Sequence, residues 1–545
     1  MKGIADRDPA RVSAIMPPWD LRTPQMREFL WFCVPALLLG FILRVVMTWQ
    51  MPYGYMQFDS TDFLYTVSTF FEKHKVVIHS KRTFLVPLLY TVPYLLHLPA
   101  LILIPLVQHL SGLGVILMSG ALVRLWLASW RWVIVPVTLL IAANPAVLWY
   151  EHALMSESAY LFFVFALALT ATLFTRQPTG RHFVWMLAAL FFTPASRPEG
   201  RLLLGFGFVL LVLVHWRNWR TLGIRLGWLA ALSVVALVLT TTHQAGQLLY
   251  ATVLPLAPDE SKVDPEFGRL VRPLRDQTRL TRQEAPEGLQ GLSRRLGDMA
   301  EAYLKAKGQR GADGNLLCQK MAMEACVHQP WASLRLAVDK FCLATRFPTS
   351  IGYDEPFLSK KLKVGFNRKE ELGVLGHGLI GRDGLKNPVD VDAFVREHYH
   401  PMKWYRAWDK SWAELTLGAD EDEDIVRDTP IPALPIFFWV ALAGMLIAML
   451  SPGPLQKFHF AWIMSLAVLW FVVSLTGVSN PRYRYAFEPF CVIYIFVGAM
   501  LLGMHILRWA GRRLGRSSRA AEASKGENPP TEQMATLNFQ PISAP

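Results

Sequence analysis

Residues 29–50 read FLWFCVPALLLGFILRVVMTWQ, and the fold class turns on them. As a helix, about 20 apolar residues cross a hydrocarbon layer of ~30 Å, and this run is that long. Working outward, residues 154–175 and 487–507 repeat the pattern. A soluble core holds one such run, not many. Composition agrees: of 545 residues, 52% are hydrophobic and 18% charged, with a mean hydropathy of +0.28. Soluble domains carry roughly a quarter charged residues. The sequence therefore predicts an all-α polytopic integral membrane protein.

Apolar runs bounded by charges, prolines and glycines predict ten spans, at 28–49, 99–127, 132–150, 154–175, 183–196, 201–216, 226–245, 432–450, 458–476 and 486–507. They define a short segment 1–27, a membrane module 28–245 with its first loop at 51–98, a domain over 246–430, closing spans over 431–508 and a tail over 509–545. The first 27 residues contain no apolar stretch that ends in a small-residue cleavage site, so the first span is expected to remain as an anchor. Within 246–430, residues 289–306 and 330–346 read as amphipathic helices, and Trp404, Tyr405, Trp408 and Trp412 suit a helix at the headgroup layer. The tail is polar and Pro-containing beyond about Ser517, a composition that resists packing.

Charge sets the orientation. The net charge is +13, yet residues 243–430 hold 27 Lys/Arg against 28 Asp/Glu, leaving 28 basic and 14 acidic residues for the rest of the chain. Retention of Lys and Arg in short cytoplasmic loops explains that excess better than a nucleic-acid partner does. With the N-terminus inside, the inner connections carry Arg124, Arg131, Arg176, Arg181, Arg217, Arg220, Arg225 and Lys457, with no acid among them. Asp59, Asp62, Glu72, Glu151, Glu157, Glu199 and Glu488 then fall outside. Both termini are expected in the cytoplasm, and the compartment expected is a bacterial inner membrane. Residues 84–98, interrupted by Pro87 and Pro93, are expected to be re-entrant or interfacial, because a span there would invert every later loop.

Ionisable groups at membrane depth are costly and need a reason. Four polar clusters gather on the outer side. Asp59 and Asp62 follow the first span, three residues apart and on one face if helical. Helix capping would explain either one; a carboxylate able to take a proton from a hydroxyl is the functional alternative. Glu151 and His152 close a hairpin that Glu157 reopens one turn later. Surface placement suffices for Glu151 and less well for Glu157, and a single His is weak evidence for a metal. Arg197 and Glu199 stand in a turn that also holds Arg201, where positive charge is otherwise scarce. Arg482 and Arg484 open the last span, and Lys81 and Arg82 lie in the first loop. Outer headgroups would satisfy these cations. A buried phosphate is the sharper alternative, because a guanidinium fork matches phosphate oxygens.

At these residues the chain resembles the GT-C glycosyltransferases, in particular the branch that uses polyprenyl-phosphate sugars. The resemblance rests on Asp59-Ser60, Asn144-Pro145 followed by Tyr150-Glu151, Leu154-Met155-Ser156-Glu157, Arg197-Pro198-Glu199-Gly200, and Arg482-Tyr483-Arg484 before Pro489. Each motif is short, and their order relative to the spans carries the likeness. It implies an inverting transfer with Asp59 as base and Arg484 foremost on the lipid phosphate. It also implies that Arg482, Arg197, Lys81 and Arg82 assist there, and that Tyr65, Glu151, His152, Glu157 and Glu199 line the substrate. The family often has Tyr four residues after the first Asp; here Phe63 takes that place and Tyr65 follows, so Asp59 and Asp62 both stay candidates for the base.

The donor expected is a polyprenyl-phosphate sugar. The acceptor is left open among lipid, glycan and protein, and the bilayer itself is the remaining partner. No cofactor is expected to be essential, and a divalent cation is left open because some relatives of the fold use one. Of five cysteines, Cys318, Cys326 and Cys342 fall in the outer domain, where two of the three can pair. The rival readings are a polymerase or ligase that takes a lipid-diphosphate donor, a scaffold without catalysis, and a transporter. A transporter predicts two similar halves with charges at mid-bilayer, whereas here the halves differ.

Overall fold

The computed structural model describes residues 23–55, 82–96, 100–127, 130–240, 245–281, 288–310, 313–344, 402–417, 435–476 and 487–524, with single positions such as Ser60, Phe63 and Tyr485 besides. Two compact units divide the chain, Met1–Gly498 and Ala499–Pro545. The second continues helical to Ser524.

Each of the ten expected stretches contains helix among its described residues. In chain order the first unit holds α1 (Pro24–Gln50), the short α2 (Leu85–Leu95), α3 (Ala100–Trp126), α4 (Ile134–Ala142), α5 (Pro145–His152), α6 (Glu157–Arg176), α7 (Gly180–Ser196), α8 (Leu202–His215) and α9 (Trp219–Leu239). After these come α10 (Ala245–Val253), α11 (Pro265–Thr281), α12 (Gly288–Ala306), α13 (Gly314–His328), α14 (Pro330–Ala344), α15 (Lys403–Leu417), α16 (Ile436–Leu450) and α17 (Gln456–Thr476). The last helix, α18 (Glu488–Ser524), begins in the first unit. Seven helices are long and apolar enough to cross a membrane, eight when one bent pair counts as a span. α7 and α16 are shorter, at 17 and 15 residues. Among the described residues strand pairing is confined to one isolated parallel bridge, Tyr55 with Ala153.

Local chemistry starts these helices where it does. Thr23 caps α1 by accepting from Met26 N at 3.3 Å, and Pro24 occupies the first turn, where a missing N–H costs nothing. Thr179 and Asn218 cap α7 and α9 in the same manner. Pro35 and Pro105 sit inside α1 and α3, as membrane helices tolerate when neighbours re-satisfy the backbone. α2 is too short to span and packs on α3 and α7, with Phe84 and Phe191 ring centroids 6.2 Å apart.

Helices α10 to α14 form a small helical domain with its own core, built on Tyr250, Phe267, Leu296, Cys318 and Met321. Leu475, at the end of α17, is buried in that core and Phe471 packs on it, so the domain is seated on the end of a membrane helix. Cys318 and Cys326 are free thiols, and burial pushes the Cys318 thiol up to about 12. The Cys342 side chain lies outside the described residues.

Candidate active site

The site begins at a broken helix. Residues 132–150 are expected to be one span, but a proline disfavours helical backbone in the residue before it. Asn144 accordingly turns extended (φ −72°, ψ 116°), and its side chain starts α5 by accepting from Val147 N at 3.1 Å. The segments Arg131–Ala142 and Pro145–His152 meet at 51°. The bend drives α5 into the bundle, and every residue from Pro145 to His152 is buried. Glu151, for which surface placement had sufficed, is 0% exposed.

Such burial demands partners. Arg44 Nη2, from the middle of the first apolar run, donates to Glu151 Oε1 at 2.6 Å, and its Nη1 donates to Gly40 O at 2.8 Å. Glu151 Oε2 lies 3.1 Å from His109 Nδ1. His109 Nε2 lies 3.1 Å from His152 Nδ1, and His152 Nε2 donates to Tyr53 O at 3.1 Å. A Cβ on Gly112 would stand 1.8 Å from Glu151 Oε1 and 2.6 Å from Arg44 Nη2, so the pair crosses α3 where no side chain obstructs it.

A second cluster forms where α6 and α7 meet. Glu157, the first residue of α6, pairs with Arg197 Nη1 and profits from the helix N-terminus. Arg197 also grips Glu199 as a fork, Nε to Oε2 at 3.2 Å and Nη2 to Oε1 at 3.1 Å, with Tyr160 beneath it. Gly200 allows the tight turn Pro198–Arg201, because a Cβ there would lie 2.6 Å from the backbone of Thr193 and Pro194. Arg201 Nε donates to Thr240 Oγ1 at 3.0 Å.

A third set closes the arrangement. Glu488 Oε1 accepts from Asn144 Nδ2 at 3.0 Å and from Trp412 Nε1 at 2.7 Å. Tyr405 Oη donates to Pro145 O at 2.7 Å, and Trp404 Nε1 to Gln50 Oε1 at 2.5 Å. α15 thus presents its aromatics to the bundle rather than to a headgroup layer alone. The segment after α1 is clamped here too: Tyr55 N donates to His152 O at 3.0 Å, Leu154 N to Tyr55 O at 2.9 Å, and Ser60 Oγ to Leu154 O at 2.8 Å.

The sequence-derived candidates Glu151, His152, Glu157, Arg197 and Glu199 therefore belong to one end of the bundle, in two linked clusters. Tyr485 is T-shaped on Tyr150 of α5, with ring centroids 5.0 Å apart. Arg82 stands off with its guanidinium 4.9 Å from the Phe63 ring centroid. Asp59, Asp62, Tyr65, Lys81, Arg482 and Arg484 lie outside the described residues. Sequence reasoning missed Arg44 and His109. Each is a lone ionisable residue inside an apolar run, a signal that was available. Among the described residues, no three His, Cys, Asp or Glu side chains are grouped as a metal would require.

Among the described residues, buried polar atoms without a hydrogen-bond partner at this end include Arg44 Nε, Gln108 Oε1, Glu157 Oε2, Tyr160 Oη, Arg201 Nη2 and Tyr485 Oη. Native interiors rarely leave such groups unmatched. Arg197 is engaged by two carboxylates, so Arg201 is the arginine of that turn with a guanidinium nitrogen to offer.

No protein-family model matches the chain, and no curated protein does. Among solved structures, the archaeal oligosaccharyltransferase AglB from Archaeoglobus fulgidus, in complex with an inhibitory peptide and a dolichol-phosphate, is 12% identical, covers 92% of this chain and has a TM-score of 0.41. ArnT from Cupriavidus metallidurans, bound to undecaprenyl phosphate, is 16% identical over 82% of this chain and 76% of its own, with a TM-score of 0.29. The chain is similar to both at low identity. It spans about half the length of the oligosaccharyltransferase chain it matches, 52%. At TM-scores of 0.41 and 0.29 these likenesses carry no argument about function, and any functional reading rests on the side chains.

Proposed function

We propose that the chain is an inverting glycosyltransferase that moves a sugar from a polyprenyl-phosphate donor to an acceptor at the non-cytoplasmic face of the membrane. The observation that carries this reading is the gathering of buried carboxylates, arginines and unmatched polar atoms at one end of an apolar bundle. Such a place suits a ligand with a hydroxyl-rich head, an anionic phosphate and an apolar tail.

Asp59 or Asp62 serves as the base that takes the proton of the acceptor hydroxyl. Arg484, with Arg482, Lys81, Arg82 and the Arg197–Arg201 turn, neutralises the phosphate as it departs. Preorganised donors aimed at developing charge are worth roughly 3–4 kcal/mol each when removed singly. Glu157, Glu199 and Tyr65 border the sugar, while Glu151 and His152, fully enclosed, act as positioning residues through Arg44 and His109. A phosphate monoester leaving group stabilised by arginines needs no metal in this scheme.

The test is transfer by the full chain in lipid nanodiscs, offered in parallel a polyprenyl-phosphate sugar and a polyprenyl-diphosphate oligosaccharide. Turnover of the first supports the reading; turnover of the second alone assigns a ligase. Arg484→Ala is expected to weaken donor binding, and unchanged binding removes its phosphate role.

A further inference from the structure

The Arg44–Glu151–His109–His152 chain has a property that hydrogen-bond polarity alone fixes. Three contacts run in series: Glu151 Oε2 to His109 Nδ1, His109 Nε2 to His152 Nδ1, and His152 Nε2 to Tyr53 O, each 3.1 Å. A carbonyl oxygen only accepts, so the last contact places a hydrogen on His152 Nε2. Each of the other two contacts needs one hydrogen as well. An ionised Glu151 and two neutral imidazoles together own two hydrogens, and three are required. Without the third, two lone pairs face each other inside an enclosure where Glu151 and His152 are 0% exposed and His109 4%.

We infer that Glu151, His109 and His152 form a built-in binding site for one additional proton. Three placements satisfy every contact without moving a heavy atom. The proton rests on the Glu151 carboxyl; or it passes to His109 Nδ1, leaving a carboxylate beside an imidazolium; or the His109 Nε2 hydrogen crosses to His152 Nδ1, leaving His109 neutral and His152 charged. Total charge is the same in all three, so the proton is shared along the chain. The charged group in contact with this site is Arg44 on α1. Arg44 holds Glu151 Oε1 and so keeps Oε2 turned to His109. His152 in turn is locked by its bond to the segment that leads from α1 toward Asp59. Where the transferase reading holds, the site keeps a proton at the same end of the molecule as the proposed transfer. The proton site itself stands without that reading.

The experiment uses the full chain with isotope-labelled histidine in nanodiscs at neutral pH. Imidazole nitrogen spectra are taken for wild type, His109→Gln and His152→Gln, together with the infrared carbonyl region. The expected result is one imidazolium, or one protonated carboxyl, that belongs to this set. It should vanish in Glu151→Gln, whose amide donates to His109 Nδ1 and so supplies the third hydrogen. Should Glu151→Gln fail to fold, His109→Leu gives the same difference, because it removes both contacts that call for the extra hydrogen. Two neutral imidazoles together with an ionised Glu151 in the wild type would overturn the proposal, whatever the protein does in a transfer assay. A proton found there in a protein that transfers no sugar overturns the transferase reading alone.

Discussion

The two ends of the bundle handle arginine in opposite ways. At the end that carries the N-terminus of α1, Arg131 pairs with Glu28 while both side chains stay more than 40% exposed, at 47% and 41%. Arg124 donates to Gln25 O at 2.7 Å, Arg176 to Leu125 O, and Arg225 to Pro178 O at 2.9 Å. These cations tie loops to helix ends. At the other end Arg44 and Arg197 are 4% and 7% exposed, and each meets a carboxylate that is itself enclosed. Surface pairs are worth about 0–1 kcal/mol, whereas breaking one partner of a buried pair costs roughly 3–5 kcal/mol. The first end is explained by topology and solubility. The second is expensive to maintain, and expense without structural need points to chemistry.

Substitutions test that contrast. The largest effect is expected in turnover: if Asp59 or Asp62 is the base, Asn at the correct position lowers transfer by about 10²–10⁴-fold, read as initial rate at saturating donor. Next, Arg197→Ala leaves Glu157 buried without its cation and should destabilise the protein by roughly 3–5 kcal/mol, seen as a lower midpoint of thermal unfolding in detergent. Arg197→Gln combined with Glu157→Gln should recover much of that loss. Gly112→Ala forces a methyl group into the Arg44–Glu151 contact and should cost about 1–3 kcal/mol by overpacking. The smallest effect belongs to the opposite end, where Arg131→Ala is expected to shift stability by no more than ~1 kcal/mol. Equal losses from Arg131→Ala and Arg197→Ala would erase the distinction between the ends.

What the sequence disclosed follows from the physics of each signal. Apolar length is a direct requirement of the bilayer, and each of the ten expected stretches contains helix among its described residues. The short α2 also declared itself, through Pro87 and Pro93. Charge near span ends brought Glu151, Glu157, Arg197 and Glu199 to notice, since charge there is costly. Arg44 and His109 escaped because one ionisable residue barely alters the hydropathy of a long run, and only their partners across the bundle explain them. The break at Asn144-Pro145 was quoted as a motif, yet its consequence needed the third dimension. A bend of 51° turns an expected loop margin, Trp149 to His152, into an interior wall. The docking of α15 through Trp412 and Tyr405 was likewise hidden, as aromatic residues suit a headgroup layer and a protein groove equally well.

The central claim is that the costly end performs sugar transfer from a lipid monophosphate. The most direct measurement is transfer of labelled sugar from a polyprenyl-phosphate donor by purified wild type beside Asp59→Asn and Asp62→Asn, with folding verified for each. Transfer by the wild type that collapses in at least one variant is the expected outcome. Transfer that persists undiminished in both variants, or none at all from any such donor by a folded wild type, would contradict it.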